Sequence, residues 1–245
     1  MKTNNEATDK DVLDPSYPLM IKLKERCPGT YSHSKNVADI LEALSMELQL
    51  DSKNLKIAGF YHDIGKTRCP EMFSENQPET ENIHDNLDPH ISYLLITGHV
   101  ANTTQMLYDD PNIDDKVVQW CSQHHGSSLA GYFFQKSGSD NEDEYRYKTR
   151  TPQSLEAALL MICDHLEARL RSERKSRKIT TKDQVEQLVE TVLDSLMNDD
   201  QLDEVSLPRL KILRQIKRIL KNELYSKFED HKRIDYGEVA ANDKS

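Results

Sequence analysis

Glycine is scarce in this chain, with eight in 245 residues. Runs of β-branched residues are short. Both shortages argue against a strand-built fold, and long segments rich in Leu, Ala, Glu and Lys predict an all-α protein. Cysteine is sparse and scattered: Cys27, Cys69, Cys121 and Cys163 form no C-x-x-C pair. That spacing argues against a zinc-finger site and predicts ordinary reduced thiols in buried structural roles, in a cytoplasmic protein. Long apolar runs are missing too. The longest, Ala158 to Cys163, falls far short of a membrane span, and the polar, acidic stretch from Met1 to Asp14 lacks the apolar centre of a secretory signal. Positive charge is in deficit: 32 Lys and Arg face 42 Asp and Glu, for a formal net charge of −10. A nucleic-acid polymer or an anionic membrane surface is therefore excluded as a nonspecific partner. A small anionic substrate is not excluded, because a metal site with local lysines and arginines holds phosphate on an acidic protein.

What is present reads as a series of helices. Residues 1–15 have little to bury and are expected to be disordered. Helices are expected over 18–26, 33–50 and 53–63, with Pro28-Gly29-Thr30 as a break and Asp51-Ser52 as a cap. Val37, Ile40, Leu41, Leu44 and Leu48 form the apolar stripe of the second, with His33 on its inner edge. The third is expected to end at Gly65 acting as a left-handed terminator. The stretch 67–87 is long and polar, so either functional or mobile. Further helices are expected over 90–107, 112–122 and 127–136, then a mobile charged insert over 137–149. The most apolar helix, 152–172, carries Asp164 at its centre. Two amphipathic helices over 181–196 and 206–228 precede a polar tail, 229–245. No internal repeat or boundary divides residues 16–228.

Asp164 is the informative residue. An unpartnered buried carboxylate costs on the order of several kcal/mol, so it needs a cation or strong hydrogen bonds. A bond to a neighbouring arginine would suffice if the histidines were absent. His33, His62, Asp63 and Asp164 together supply two imidazoles and two carboxylates, and His99, His124 and His125 supply three more imidazoles. One ion cannot take all of these and keep room for a substrate. Two ions bridged by Asp63 use them all. The thiolate-free, His-rich donor set suits Fe or Mn, with Zn or Co as alternatives. His84 and His90 read as surface or supporting groups, His165 as packing, and His231 lies in the tail. Adjacent His124-His125 alone would suit a polar loop, but Gly126 allows a tight turn that directs both rings inward. Lys66 is either a surface lysine or a cation for a substrate phosphate. Arg146, Lys148 and Arg150 are either a solvated charge run or an anion-binding rim.

With its neighbours, this pattern resembles the HD-domain phosphohydrolase superfamily. The finer likeness is to the PgpH-type HD domain, the cytosolic catalytic part of a family of seven-transmembrane cyclic di-AMP phosphodiesterases. The similar stretches include Pro28-Gly29-Thr30-Tyr31-Ser32-His33, Tyr61-His62-Asp63-Ile64-Gly65-Lys66, Glu75-Asn76-Gln77, Gly98-His99-Val100, Gln123-His124-His125-Gly126, Tyr145-Arg146-Tyr147 and Gln201-Leu202-Asp203-Glu204. They run in the family's order from about residue 18 to about residue 227. The resemblance implies that His33, His62, Asp63 and Asp164 hold one ion, and that Asp63, His99, His124 and His125 hold the other. It implies hydrolysis of cyclic di-AMP to pApA; the residues themselves suggest a metal-activated hydroxide as nucleophile, with Asp63 and Lys66 catalytic and Lys66, Arg146 and Arg150 as substrate contacts. Thr149-Arg150-Thr151 replaces the family's Gly-Pro-Lys before Pro152-Gln153. The family's extracellular domain and membrane spans have no counterpart in this sequence, which is expected to be a free-standing domain or a piece of a longer protein. Alternatives are an HD-type nucleotidase or alarmone hydrolase, or a catalytically silent nucleotide sensor. The oligomeric form, a homodimer included, is left open by the sequence.

Overall fold

A computed structural model describes residues 11–78, 82–206 and 210–242, with side chains as far as Glu229 in the last helix. Among them are nine α-helices: α1 (Pro18–Arg26), α2 (Pro28–Leu48), α3 (Ser52–Tyr61), α4 (Pro89–Tyr108), α5 (Asp115–Ser122), α6 (Gly131–Ser137), α7 (Leu155–Lys175), α8 (Lys182–Asn198) and α9 (Leu210–Asn242). No strand is present among the described residues. One isolated antiparallel bridge joins Leu129 to Arg146. The expected all-α class holds.

Helix starts follow local chemistry. Asp51, Asp88, Asp114 and Ser154 each accept a backbone N–H in the first turn of α3, α4, α5 and α7. Thr181 and Gln184 form a reciprocal capping box on α8. Pro28 opens α2 several residues earlier than the stripe suggested, since a proline in the first turn needs no N–H partner.

The core follows the predicted stripe. Val37, Ile40, Leu41 and Leu44 of α2 are buried, and α2 packs against α3, α7 and α9. Helix α7 is buried all round between 157 and 164, which places it mid-bundle. A smaller cluster of Tyr93, Phe133 and Tyr145 lies under α4 and α6. Among the described residues no helix is long and apolar enough to cross a membrane.

Several expectations need correction. Residues 1–10 lie outside the described part of the chain, but 11–15 are anchored at Val12, which is buried and whose carbonyl accepts the Tyr61 hydroxyl. The 67–87 stretch is a relay of short 3-10 turns, Ile64–Arg68, Pro70–Met72, Ser74–Asn76 and Ile83–Asn86; residues 79–81 lie outside the described part. Its Asn76 amide oxygen accepts the N–H groups of Gly29 and Thr30, capping α2 across 46 residues. The 137–149 insert is tied down too. Tyr145 is buried, Ala130 N–H donates to the Tyr145 carbonyl and Tyr147 N–H to that of Ser128, at 2.9 and 3.0 Å. Helix α9 begins at Leu210 and its backbone continues to Asn242, through most of the expected tail.

Gly65 is not a left-handed terminator. Only Gly126 and Gly138 among the described glycines have positive φ, at 51° and 67°. Gly65 sits inside a 3-10 turn pressed on α4, where a Cβ would lie 2.2 Å from the His99 carbonyl oxygen and 2.5 Å from Thr103 N. Glycine is required there by close approach, not by backbone conformation. Gly65→Ala is therefore expected to destabilise the fold by about 1–3 kcal/mol, the usual range for overpacking, readable as a lowered midpoint in denaturant unfolding.

Candidate metal centre

Three helices and the turns after two others converge on one buried point. His33 comes from α2, His62 and Asp63 from the C-terminal end of α3, His99 from α4, His124 and His125 from the turn after α5, and Asp164 from α7. All are buried except His125, which is partly exposed. The seven residues form two groups whose ligand atoms lie within 4.8 Å of one another: His33, His62, Asp63 and Asp164, and Asp63, His99, His124 and His125.

Asp63 belongs to both groups through different oxygens. Its Oδ2 lies 3.3 Å from His62 Nε2 and 4.0 Å from His33 Nε2. Its Oδ1 lies 3.2 Å from His99 Nε2 and 3.7 Å from His124 Nε2. Asp164 Oδ1 faces His33 Nε2 at 3.0 Å and His62 Nε2 at 3.6 Å, while its Oδ2 is 3.8 Å from His125 Nδ1.

The rings are aimed by the backbone. The Nδ1–H groups of His62, His99 and His124 donate to the carbonyls of Gly59, Ile96 and Cys121, each three residues back, at 2.9, 2.6 and 2.6 Å. Each bond fixes one tautomer and turns Nε2, with its lone pair, toward the centre. His33 differs: its Nδ1 meets Glu167 Oε2. The His124-His125 turn is also braced. Gln201, buried at the end of α8, accepts the Ser127 N–H at 2.9 Å and donates to Ser127 Oγ at 3.0 Å, and Gly126 supplies the positive φ.

The donor set fits a cation on two grounds. His62 Nε2 and Asp63 Oδ1 are buried and have no hydrogen-bond partner, a cost that coordination removes. Charge is also unbalanced. Asp63, Asp164, Glu167 and Glu75 crowd the site; Lys66 is the one lysine among the described residues that pairs with them, 2.8 Å from Asp63 Oδ2 and 2.8 Å from Glu75 Oε1, and Arg171 acts on Glu167. Burial works against ionised Asp63, yet Lys66 and His62 hold its carboxyl well below the usual range. Burial likewise opposes ionised Asp164, and its hydrogen bond to His33, together with nearby His62, prevails. Burial also opposes the Glu75 carboxylate, which Lys66 nonetheless draws down to about 2.

The residues expected to touch substrate separate. Lys66 lies at the centre, over the Phe73 ring at 4.9 Å. Arg146 does not reach it: its guanidinium pairs with Asp199 at 2.9 Å and Glu142 at 3.0 Å and donates to the Ser127 carbonyl. It braces the loop instead. Arg150 is exposed, beside a cavity of about 440 Å³ lined by the outer side of α4, Ser122 and Gln123, and containing none of the seven residues. His84 is buried with Nε2 at 2.7 Å from the Met72 carbonyl, and His165 Nδ1 donates to the Met161 carbonyl. His231 lies beyond the described side chains.

Three contributors have no role in the sequence reading, although Tyr147 and Gln201 lie in stretches similar to the family's. Glu167 follows Asp164 by three residues on the same helix face, a spacing that signals it. Tyr147 places its ring 4.4 Å from that of His125, and burial raises its hydroxyl pKa. Gln201 carries no signal in local pattern, since its partner lies 74 residues away.

An HD domain family model matches residues 30–169. The cyclic-di-AMP phosphodiesterase PgpH of Bacillus subtilis (strain 168) is 34% identical over 235 residues, covering 94% of this chain and 32% of that protein. The chain thus spans about a third of the length of the curated relatives it matches. A crystal structure of the Listeria monocytogenes PgpH HD domain superposes with a TM-score of 0.76 at 30% identity, over 88% of this chain and 99% of that one. The same domain in complex with cyclic-di-AMP superposes with a TM-score of 0.76, over 89% of this chain.

A pH dependence follows for the protein with ions chelated. Burial opposes a charge on His62, but Asp63 and Asp164 outweigh it and raise its pKa from 6.5 to about 10. A raised folded pKa contributes stability that is complete below about 6.5 and lost as pH rises through about 10. The chelated protein is expected to melt at progressively lower temperature from pH 7 to pH 10. Divalent metal, which takes the proton's place, is expected to flatten that slope in thermal melts.

Proposed function

This chain belongs to the HD domain family, and we propose that it is a metal-dependent phosphohydrolase that opens cyclic di-AMP to pApA. The observation that carries the reading is Asp63, which presents one oxygen to each of two ligand groups. The substrate rests on the likeness to the PgpH HD domain, whose solved complex contains cyclic-di-AMP. The N/O donor set, rich in imidazole and without thiolate, favours Fe or Mn, with Zn or Co as alternatives. When bound, two such ions supply Lewis acidity at a phosphate and lower the pKa of water.

The chain's own groups do the rest. His33, His62, Asp63 and Asp164 hold one position, and His99, His124 and His125 with Asp63 hold the other. Three backbone carbonyls keep imidazoles in the ligating tautomer before substrate arrives, so little reorganisation accompanies binding. Lys66 commits two of its three N–H bonds to Asp63 and Glu75, and its ammonium stands where charge develops on phosphate oxygens. Phe73, with its ring 5.7 Å from that of His99, and Tyr147 wall the centre against water and offer faces to a base. The free cysteines, three of them buried, suit a reducing compartment and support a cytoplasmic location for the domain.

The test is hydrolysis of cyclic di-AMP, cyclic di-GMP and pApA by the purified protein in Mn²⁺ or Fe²⁺, with metal content measured in parallel. Linear pApA from cyclic di-AMP is expected. Turnover of mononucleotides alone, or tight binding without product, would sink the reading. Asp63→Ala is expected to lose both bound metal and turnover. Lys66→Met is expected to keep its metal and lower kcat by roughly 10²- to 10³-fold, as for loss of one group stabilising transition-state charge.

A further inference from the structure

Helix α7 directs two carboxylates, three residues apart, toward α2. Asp164 is one of the seven ligands. Glu167 is not, yet it is as deeply buried, 2% exposed against 6%. Its Oε2 meets His33 Nδ1, and its Oε1 accepts from Asn36 Nδ2 at 2.9 Å. His33 Nε2, on the far edge of the ring, lies 3.0 Å from Asp164 Oδ1. His33 is thus held between two carboxylates, one beside the ion position and one behind the ring.

The other inward-facing imidazoles differ. His62, His99 and His124 lean on neutral backbone carbonyls, and His125 Nδ1 is itself the atom nearest Asp164. A carboxylate behind a histidine fixes the tautomer as a carbonyl does, and also makes the ring a stronger donor. The two ligand groups consequently differ in charge. One has Asp63, Asp164 and, through His33, Glu167. The other has its share of Asp63 and three neutral imidazoles.

We propose that Glu167 is a positioning residue that makes the two ion positions unequal, so that the position of His33, His62, Asp63 and Asp164 keeps its ion when the other has lost its own. Turnover then follows occupancy of the weaker, His99-His124-His125 position, and metal supply over that range becomes a control on the enzyme. This rests on the two-ion reading above. It extends that reading by assigning an order of filling and the side chain that sets it.

The experiment counts ions, not product. Chelated protein is dialysed against buffered free Mn²⁺ over several decades of concentration and its bound metal is measured. The native chain is expected to fill in two steps at least ~10-fold apart. Glu167→Gln preserves the volume and an amide partner for Asn36 while removing the charge. It is expected to weaken the tighter step by about 10- to 100-fold, the range for such supporting groups, and to shift the weaker step little, so that the steps merge. A thermal melt of the chelated variant checks the fold. Should that variant not fold, Asn36→Ala, which loosens Glu167 without removing its charge, is expected to weaken the same step alone by a smaller factor. Filling of the native protein in one step overturns the inference and leaves the two-ion reading standing. So does a Glu167→Gln variant with its two steps unchanged. Native protein that binds no ion overturns both.

Discussion

Four carboxylates sit close together in the interior of this bundle, and Lys66, with the histidines and Arg171 near Glu167, answers them. That crowding of charge is the constraint on which the rest depends. Each buried charge carries a desolvation cost of several kcal/mol on the order expected for ions in a protein interior, and the packing around α2, α3 and α7 must hold it in place. The fold accordingly spends its most rigid elements there. Asp164 and Glu167 lie on the helix that is buried all round, Asp63 follows a capped helix end, and Lys66 is locked by two ion pairs.

Rigidity is distributed unevenly around that charge. The face formed by α2, α3 and α7 is continuous core. The opposite face is made by the turn after α5, the 3-10 relay and the Leu129–Arg146 bridge, held by long-range polar ties: Asn76 to the start of α2, Gln201 to Ser127, and Arg146 to Asp199. A helical core thus anchors one set of ligands, and in the other His99 rests on α4 while polar stitching holds His124 and His125. Tyr147 and His125 are partly exposed on the stitched side.

Much of this was legible in the sequence because it is local. Helix spacing exposed the stripe on α2, and Asp164 stood out on an apolar helix. His62-Asp63 lay at a helix end, and only the bridge role of Asp63 explained all seven ligands at once. What escaped was non-local. The ordered path of 137–149 depends on pairing with Leu129 and Ser128, which no window of local pattern reveals. Arg146 looked like a substrate contact because its partner Asp199 lies 53 residues away. Gly65 was given the wrong reason, since close approach to α4 is a tertiary fact. Glu167 was the avoidable omission: its spacing from Asp164 was in plain view.

The three carbonyls that aim His62, His99 and His124 belong to Gly59, Ile96 and Cys121. Their side chains take no part in the bonds. The supporting layer of these ligands is therefore written in main chain, and it survives any substitution that leaves the helix turns intact. Of the three, Ile96 is the freest to change, since Cys121 is buried and a Cβ at Gly59 would lie 2.6 Å from the Ala38 backbone. At His33 the same task is entrusted to a side chain, and there alone among the four rings can a single codon change remove it.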